Sequence, residues 1–138
     1  MNGKPRILVK GAGVAGLTAA VTLAERGGVV TLYDCADRVG AGASWMAGGM
    51  LAPWCEAESA PAEVTAQSVD SVDWWANHVP GVVREGSLVL APARDVGELA
   101  RFGRRTSHFE TVGEADIARL EPDLAGRFQK GLFFADEG

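Results

Sequence analysis

Three glycines, Gly11, Gly13 and Gly16, follow the apolar run Ile7-Leu8-Val9 at the spacing G-x-G-x-x-G, and Asp34 closes a second apolar run that begins at Val29. Those residue types at that spacing can hold a dinucleotide. The first glycine permits a tight turn out of a strand. The second leaves no side chain between the backbone and a pyrophosphate, and the third lets helix and strand approach closely. The N–H groups and positive dipole end of the following helix then face the phosphates. Asp34 can accept hydrogen bonds from a ribose diol, and its charge repels a 2′-phosphate, which speaks against NADP. A glycine-rich turn alone occurs in many α/β domains; here strand, turn, helix, strand and acidic residue stand in order.

The elements that must place these groups are legible in the periodicity. Leu17, Ala20, Val21 and Ala24 fall at i, i+3, i+4 and i+7, which predicts a helix facing inward along that stripe. Val29 to Tyr33 reads as the second strand, so the front of the chain is a βαβ unit. Lys10, at a strand position that is usually apolar, suggests a solvated strand end.

A second glycine-rich stretch runs from Arg38 to Trp54. Its small residues suit close approach of the backbone to something flat or bulky. Trp45, Met46, Met50, Leu51 and Trp54 are too apolar for a flexible linker, so the segment is expected to cover a cofactor. Ser44 is expected to cap a short helix directed at a phosphate. Beyond it, Pro61 is placed for a helix's first turn, and Val72, Trp75, Ala76 and Val79 repeat at helical spacing until Pro80-Gly81. Trp74 and Trp75 read as packing residues. Val82 to Pro92 reads as a hairpin turning at Glu85-Gly86-Ser87. A helix over Asp95 to Arg105 is expected to face inward with Val96, Leu99, Ala100 and Gly103. Phe109 to Val112 reads as a strand. Thr111 and Glu114 have capping-box spacing ahead of a helix through Leu120, ended by Pro122, and a last strand starts at Gly131.

The 138 residues suit a modest core, and the net charge of −5 provides no basic footprint for nucleic acid or an anionic membrane. Arg101, Arg104 and Arg105 on one helix read as a solvated face. No run approaches the roughly 20 apolar residues of a membrane span, and no apolar signal core precedes Ile7. The two cysteines, Cys35 and Cys55, make no disulfide framework, which predicts a cytoplasmic protein. Neither they nor His78 and His108 show metal spacing, so no metal site is expected.

Three segments together resemble the glycine oxidase branch of the D-amino-acid oxidase (DAO) family of FAD-dependent oxidoreductases. They are Val9-Lys-Gly-Ala-Gly-Val-Ala-Gly-Leu, Gly42-Ala-Ser-Trp-Met-Ala-Gly-Gly-Met-Leu-Ala-Pro and Phe133-Phe-Ala-Asp-Glu-Gly. The first is shared by many flavoproteins; the second is the specific one. The resemblance covers the whole chain but only the family's N-terminal part. It implies an α/β, Rossmann-like FAD-binding fold of the glutathione-reductase kind, truncated, with residues 1–60 in the FAD-binding domain and 61–138 beginning an α+β substrate domain.

By that resemblance Gly11, Gly13, Val14, Ala15 and Gly16 would lie on the FAD pyrophosphate, Asp34 on the adenosine ribose and Cys35 near the adenine. Gly42, Ala43 and Ser44 would contact phosphate or ribitol; Gly48, Gly49 and Met50 would lie close to the isoalloxazine, with Met50 also bordering the substrate. The implied reaction is oxidative deamination of glycine or a similar small amino acid or amine, in thiamine thiazole biosynthesis. An imine forms and hydrolyses, and O2 is reduced to H2O2. No catalytic side chain is assigned within the chain, because the family's carboxylate-binding arginine lies beyond position 138. Three alternatives stand beside this reading: a related oxidase or dehydrogenase acting on sarcosine, D-amino acids or proline, a non-catalytic FAD-binding fragment or subunit, and an NAD-dependent dehydrogenase. A homo-oligomer is compatible with all of them.

Overall fold

A computed structural model describes residues 3–138, which form two compact units, one up to Gly49 and one from Met50 to Gly138. In the first unit, strand β1 (Arg6–Lys10), helix α1 (Val14–Glu25) and strand β2 (Val29–Tyr33) form the expected βαβ. The strands pair in parallel from Arg6 opposite Val29 to Lys10 opposite Tyr33. Both alternate, with Ile7, Val9, Val30 and Leu32 half-buried and their neighbours exposed. Helix α1 lies on the half-buried face, where Gly16 sits beside the Val9 side chain. Its inward stripe is Leu17, Ala20 and Leu23; Val21 and Ala24 are exposed, so the expected stripe is rotated toward Leu23. The opposite sheet face carries Leu8 and Tyr33, 70% and 58% exposed. Lys10 is exposed as expected. A 3-10 turn, Ala43–Met46, follows in the glycine-rich stretch.

The second unit begins with three short helices, α2 (Pro53–Glu56), α3 (Ala62–Ser68) and α4 (Ser71–His78). Strand β3 (Ser87–Leu90), helix α5 (Val96–Arg105), strand β4 (Glu110–Gly113), helix α6 (Glu114–Leu120) and strand β5 (Lys130–Phe134) complete it. The antiparallel sheet has the order β3-β5-β4, with Ser87 opposite Phe134 and Glu110 opposite Phe133. The central strand is therefore the last in sequence. Leu132 and Phe134 project from it onto Leu99 of α5, with Phe102, Phe109, Val89, Trp54 and Cys55 packed around them. The Phe134 ring lies 6.2 Å from Phe102 and 5.7 Å from Phe109 between centroids.

Three expectations for this unit are corrected. Val82 to Pro92 is not a hairpin: Val83 is exposed and unpaired as a strand, and β3 pairs with β5 instead. The partner offers an apolar run, Gly131 to Phe134, that two valines after Pro80-Gly81 cannot match. Thr111 does not cap α6, because it is itself paired within β4 opposite Leu132; the N-cap is Gly113, without a side-chain bond. On α5, Leu99 is buried, but Val96 and Ala100 are exposed, lining an open cavity against Phe109, Thr111 and Leu132 while Phe102 seals the core. Trp74 and Trp75 meet edge to face, 5.1 Å apart, and Trp74 stacks on His78.

Candidate functional site

The site grows from the turn between β1 and α1. Gly11 has φ +108°, a conformation that a side chain strains, and its N–H donates to the Tyr33 carbonyl at 2.7 Å. A Cβ at Gly16 would overlap the Gly11 carbonyl oxygen, so turn and helix touch backbone to backbone. Leu17 donates to the Gly13 carbonyl at 3.0 Å as the first helical bond, which leaves the N–H groups before it outside the helix's own ladder. Of these, the N–H groups of Gly13, Ala15 and Gly16 are the donors an anion would meet, since Gly11 is bonded to Tyr33, Ala12 to Asp34 and Val14 to Ser44.

Two side chains brace the turn from outside. The Ala12 N–H donates to Asp34 Oδ2 at 2.5 Å, and the Ala36 N–H to Asp34 Oδ1 at 2.8 Å. Those two backbone donors, that of Ala12 foremost, hold the Asp34 carboxyl below the usual carboxylate range. Asp34 thus ties the end of β2 to the glycine turn. Ser44 does not cap a helix of its own; it lies within the 3-10 turn, whose N-cap is Gly42 without a side-chain bond. Its Oγ accepts the Val14 N–H at 2.9 Å, so it caps α1 from 30 residues away. A Cβ at Gly13 would stand 3.0 Å from that oxygen. Nearby, the Arg38 guanidinium lies over the Trp45 ring, 4.7 Å from its centroid.

The arrangement fits a dinucleotide. Asp34 keeps further lone pairs for a ribose diol, and Ser44, accepting one bond, keeps its O–H to donate to a phosphate oxygen. At Gly42, Gly48 and Gly49 a Cβ would meet nothing within 4 Å, so that stretch borders open space rather than packed protein. Ala15, Ala43 and Cys35 are exposed beside these groups in sequence. Among the described residues no three His, Cys, Asp or Glu side chains form a metal-binding group, and no helix is long and apolar enough to cross a membrane.

The remaining candidate, Met50, belongs to the second unit and is 62% exposed. Met50, Leu51, Ala52 and Pro53 form one wall of a cavity of about 290 Å³ whose far side is Val64, Thr65 and Ser68. The Thr65 hydroxyl there is buried without a hydrogen-bond partner. Arg84 and Arg94 are paired with Asp73 at 2.7 Å and Asp95 at 3.3 Å. Arg101 and Arg105 are likewise paired, with Glu98 and Glu58, so these two members of the basic cluster are matched to acids.

One residue of consequence escaped the sequence reading. Glu137 is fully buried, and its Oε1 accepts the N–H groups of Trp54 at 2.8 Å and Cys55 at 2.7 Å. The signal was indirect: α2 starts with Pro53 after Ala52, so it has no cap of its own and needs an acceptor from elsewhere. Burial first, then the Glu137 and Glu56 charges, push the Cys55 thiol up to about 11.

The FAD dependent oxidoreductase (DAO) family profile matches residues 6–138. The chain belongs to that family. FAD is the family's cofactor, and the glycine cradle above is where the first unit can hold it. Over 133 residues the chain is 59% identical to a Rhizobium etli protein named as the thiamine biosynthesis oxidoreductase ThiO, covering 96% of this chain and 41% of the relative. A shorter match, 48% identical over 48 residues, covers 35% of this chain and 7% of a Delftia acidovorans protein. That protein is named the tRNA 5-methylaminomethyl-2-thiouridine biosynthesis bifunctional protein MnmC. Among solved structures, glycine oxidase from Bacillus cereus superposes with a TM-score of 0.64 at 19% identity, covering 98% of this chain and 41% of that one. The last likeness shows the fold. The DAO chain thus spans 41% of the length of the Rhizobium etli relative and of the Bacillus cereus structure.

Proposed function

We propose that the whole protein is an FAD-dependent oxidase of glycine or a similar small amino acid or amine, acting in thiamine thiazole biosynthesis. It yields an imine, and from it a 2-oxo acid such as glyoxylate plus ammonia, with O2 reduced to H2O2. The observation that carries this reading is the 59% identity over 133 residues to the protein named ThiO. Bound FAD supplies the hydride acceptor. The residues of this chain hold and orient it. The N–H groups of Gly13, Ala15 and Gly16 receive the pyrophosphate, which lies against Val14, whose own N–H stays on Ser44. Asp34 accepts the ribose hydroxyls without leaving Ala12, and Cys35 lies beside the adenine. Gly42, Ala43 and Ser44 meet phosphate or ribitol. Gly48, Gly49 and Met50 line the isoalloxazine, and Met50 also borders the amine. On this reading residues 1–60 serve the cofactor and 61–138 open the substrate domain.

The test uses full-length FAD-loaded protein with glycine, sarcosine, D-alanine and D-proline, following peroxide in air and flavin absorbance without air. Peroxide from glycine is the expected result. Flavin bleached by a substrate without peroxide in air would make the enzyme a dehydrogenase. FAD bound but unreduced by all four would make the protein a non-catalytic flavin binder and defeat the oxidase reading.

A further inference from the structure

The loop after β2 is strapped to the glycine turn at a single residue. Ala12, 4% exposed, donates its N–H to Asp34 Oδ2 at 2.5 Å, and its carbonyl accepts the Gly40 N–H at 2.9 Å. Both ends of the stretch from Asp34 to Gly40 are therefore fixed on the residue between Gly11 and Gly13. The next stretch is fixed there too, because Ser44 Oγ accepts the Val14 N–H at 2.9 Å. Arg38 stands in the first of these stretches, and Trp45 directly follows the anchor of the second. Their side chains meet, with the guanidinium 4.7 Å from the centre of the indole ring.

That contact occupies only the flat face of the cation. The N–H donors of a guanidinium point outward around its rim, and stacking on a ring leaves them free. Arg84, Arg94, Arg101, Arg105 and Arg119 each hold a carboxylate. Arg38 takes part in no ion pair among the described residues, although Asp37 is its neighbour in sequence.

The cradle needs such a cation. A diphosphate brings negative charge to a turn that already carries Asp34, with Asp37 in the same loop. The other basic side chains of this unit are placed elsewhere. Arg6 pairs opposite Val29 at the starting end of both strands, Lys4 precedes it, and Arg26 follows the end of α1. Lys10 is at the near end, but it alternates with Val9 onto the outer sheet face that carries Leu8. In the loops that border the glycine turn, Arg38 is the basic residue.

We propose that Arg38 is a cofactor-binding residue: held flat on Trp45, its guanidinium donates to the FAD diphosphate and offsets the charge of Asp34 beside it. This rests on FAD as the cofactor and is independent of which amine is oxidised.

The experiment titrates FAD into full-length apoprotein of wild type, R38Q and R38K at low and at high salt, following flavin fluorescence. Gln keeps a planar polar end without charge, and Lys keeps the charge without the fork. R38Q is expected to bind FAD about tenfold more weakly at low salt and to lose most of the wild type's salt dependence. R38K is expected to keep that salt dependence, with an affinity between the other two. R38Q that binds FAD within about threefold of wild type overturns the inference. A weaker R38Q that keeps the wild-type salt dependence overturns it as well, since Arg38 would then act only by packing on Trp45. Should R38Q not fold, R38K decides: wild-type salt dependence supports the inference, and its loss overturns it. Wild-type apoprotein that takes up no FAD fails the cofactor assignment and the inference with it; a normal wild type beside a normal R38Q fails the inference alone.

Discussion

At the scale of single residues, the Asp34 carboxylate holds the glycine turn and, on the proposed function, a ribose as well. Its oxygens hold Ala12 and Ala36 of the turn, and their remaining lone pairs are free for a ribose diol. Asp34→Ala should weaken FAD binding by roughly tenfold, measured by fluorescence titration, because it removes a ribose acceptor and loosens the turn. The pH dependence has a definite sign. The carboxyl is held below its ordinary value in the fold, so its contribution is complete above that ordinary value and is lost as pH falls through the lower folded one. FAD retention should accordingly persist as the pH is lowered to about 4 and fall only beneath it, whereas Asp34→Ala should show no such acid step. An acid step unchanged in the variant would remove Asp34 from the ribose and from the turn.

At the scale of elements, the βαβ unit was legible because every local signal agreed. β2 runs from Val29 to Tyr33 as its apolar run does, and α1 starts directly after the glycine turn. Gly16 leaves no room for a side chain against the Gly11 backbone. Gly16→Ala would press a methyl onto the Gly11 carbonyl and force α1 off the strand. It should destabilise the fold by about 1–3 kcal/mol in denaturant melts and abolish FAD binding at micromolar cofactor. Full binding in a Gly16→Ala protein would show that the turn can open without loss. What the sequence could not reveal lies in pairings between distant elements. β3 was legible as a strand, but its partner is β5, some forty residues on, rather than the neighbouring valines. Ser44 was legible as a cap, yet the helix it caps begins at Val14. Glu137 stands in Asp136-Glu137-Gly138, which by composition is an ordinary polar turn; only the uncapped start of α2 made an acceptor necessary.

At the scale of the molecule, the two units differ in what protects them. In the first, Ala12 is the only buried apolar side chain among the described residues, and the outer sheet face shows Leu8 and Tyr33. In the second, Leu99, Val112, Ile117, Leu132 and Phe134 are buried about a central strand paired on both sides. Local opening should therefore be cheaper in the first unit. Amide hydrogen exchange of the chain without FAD should be slower across Lys130–Phe134 than across Arg6–Lys10 and Val29–Tyr33. Equal protection in the three strands would contradict this division.

The hold of Glu137 on the start of α2 sets an order of events in time. Glu137 lies 83 residues after Trp54 and 82 after Cys55. A ribosome adding about 5–20 residues per second makes the acceptor roughly 4 to 17 seconds after the donors. During that interval Met50, Leu51 and Trp54 are an apolar strip without its fastening, and β3 waits with them for the same late strand. The nascent chain therefore has the glycine turn, with Asp34 and Ser44, long before it has a fixed wall beyond Met50.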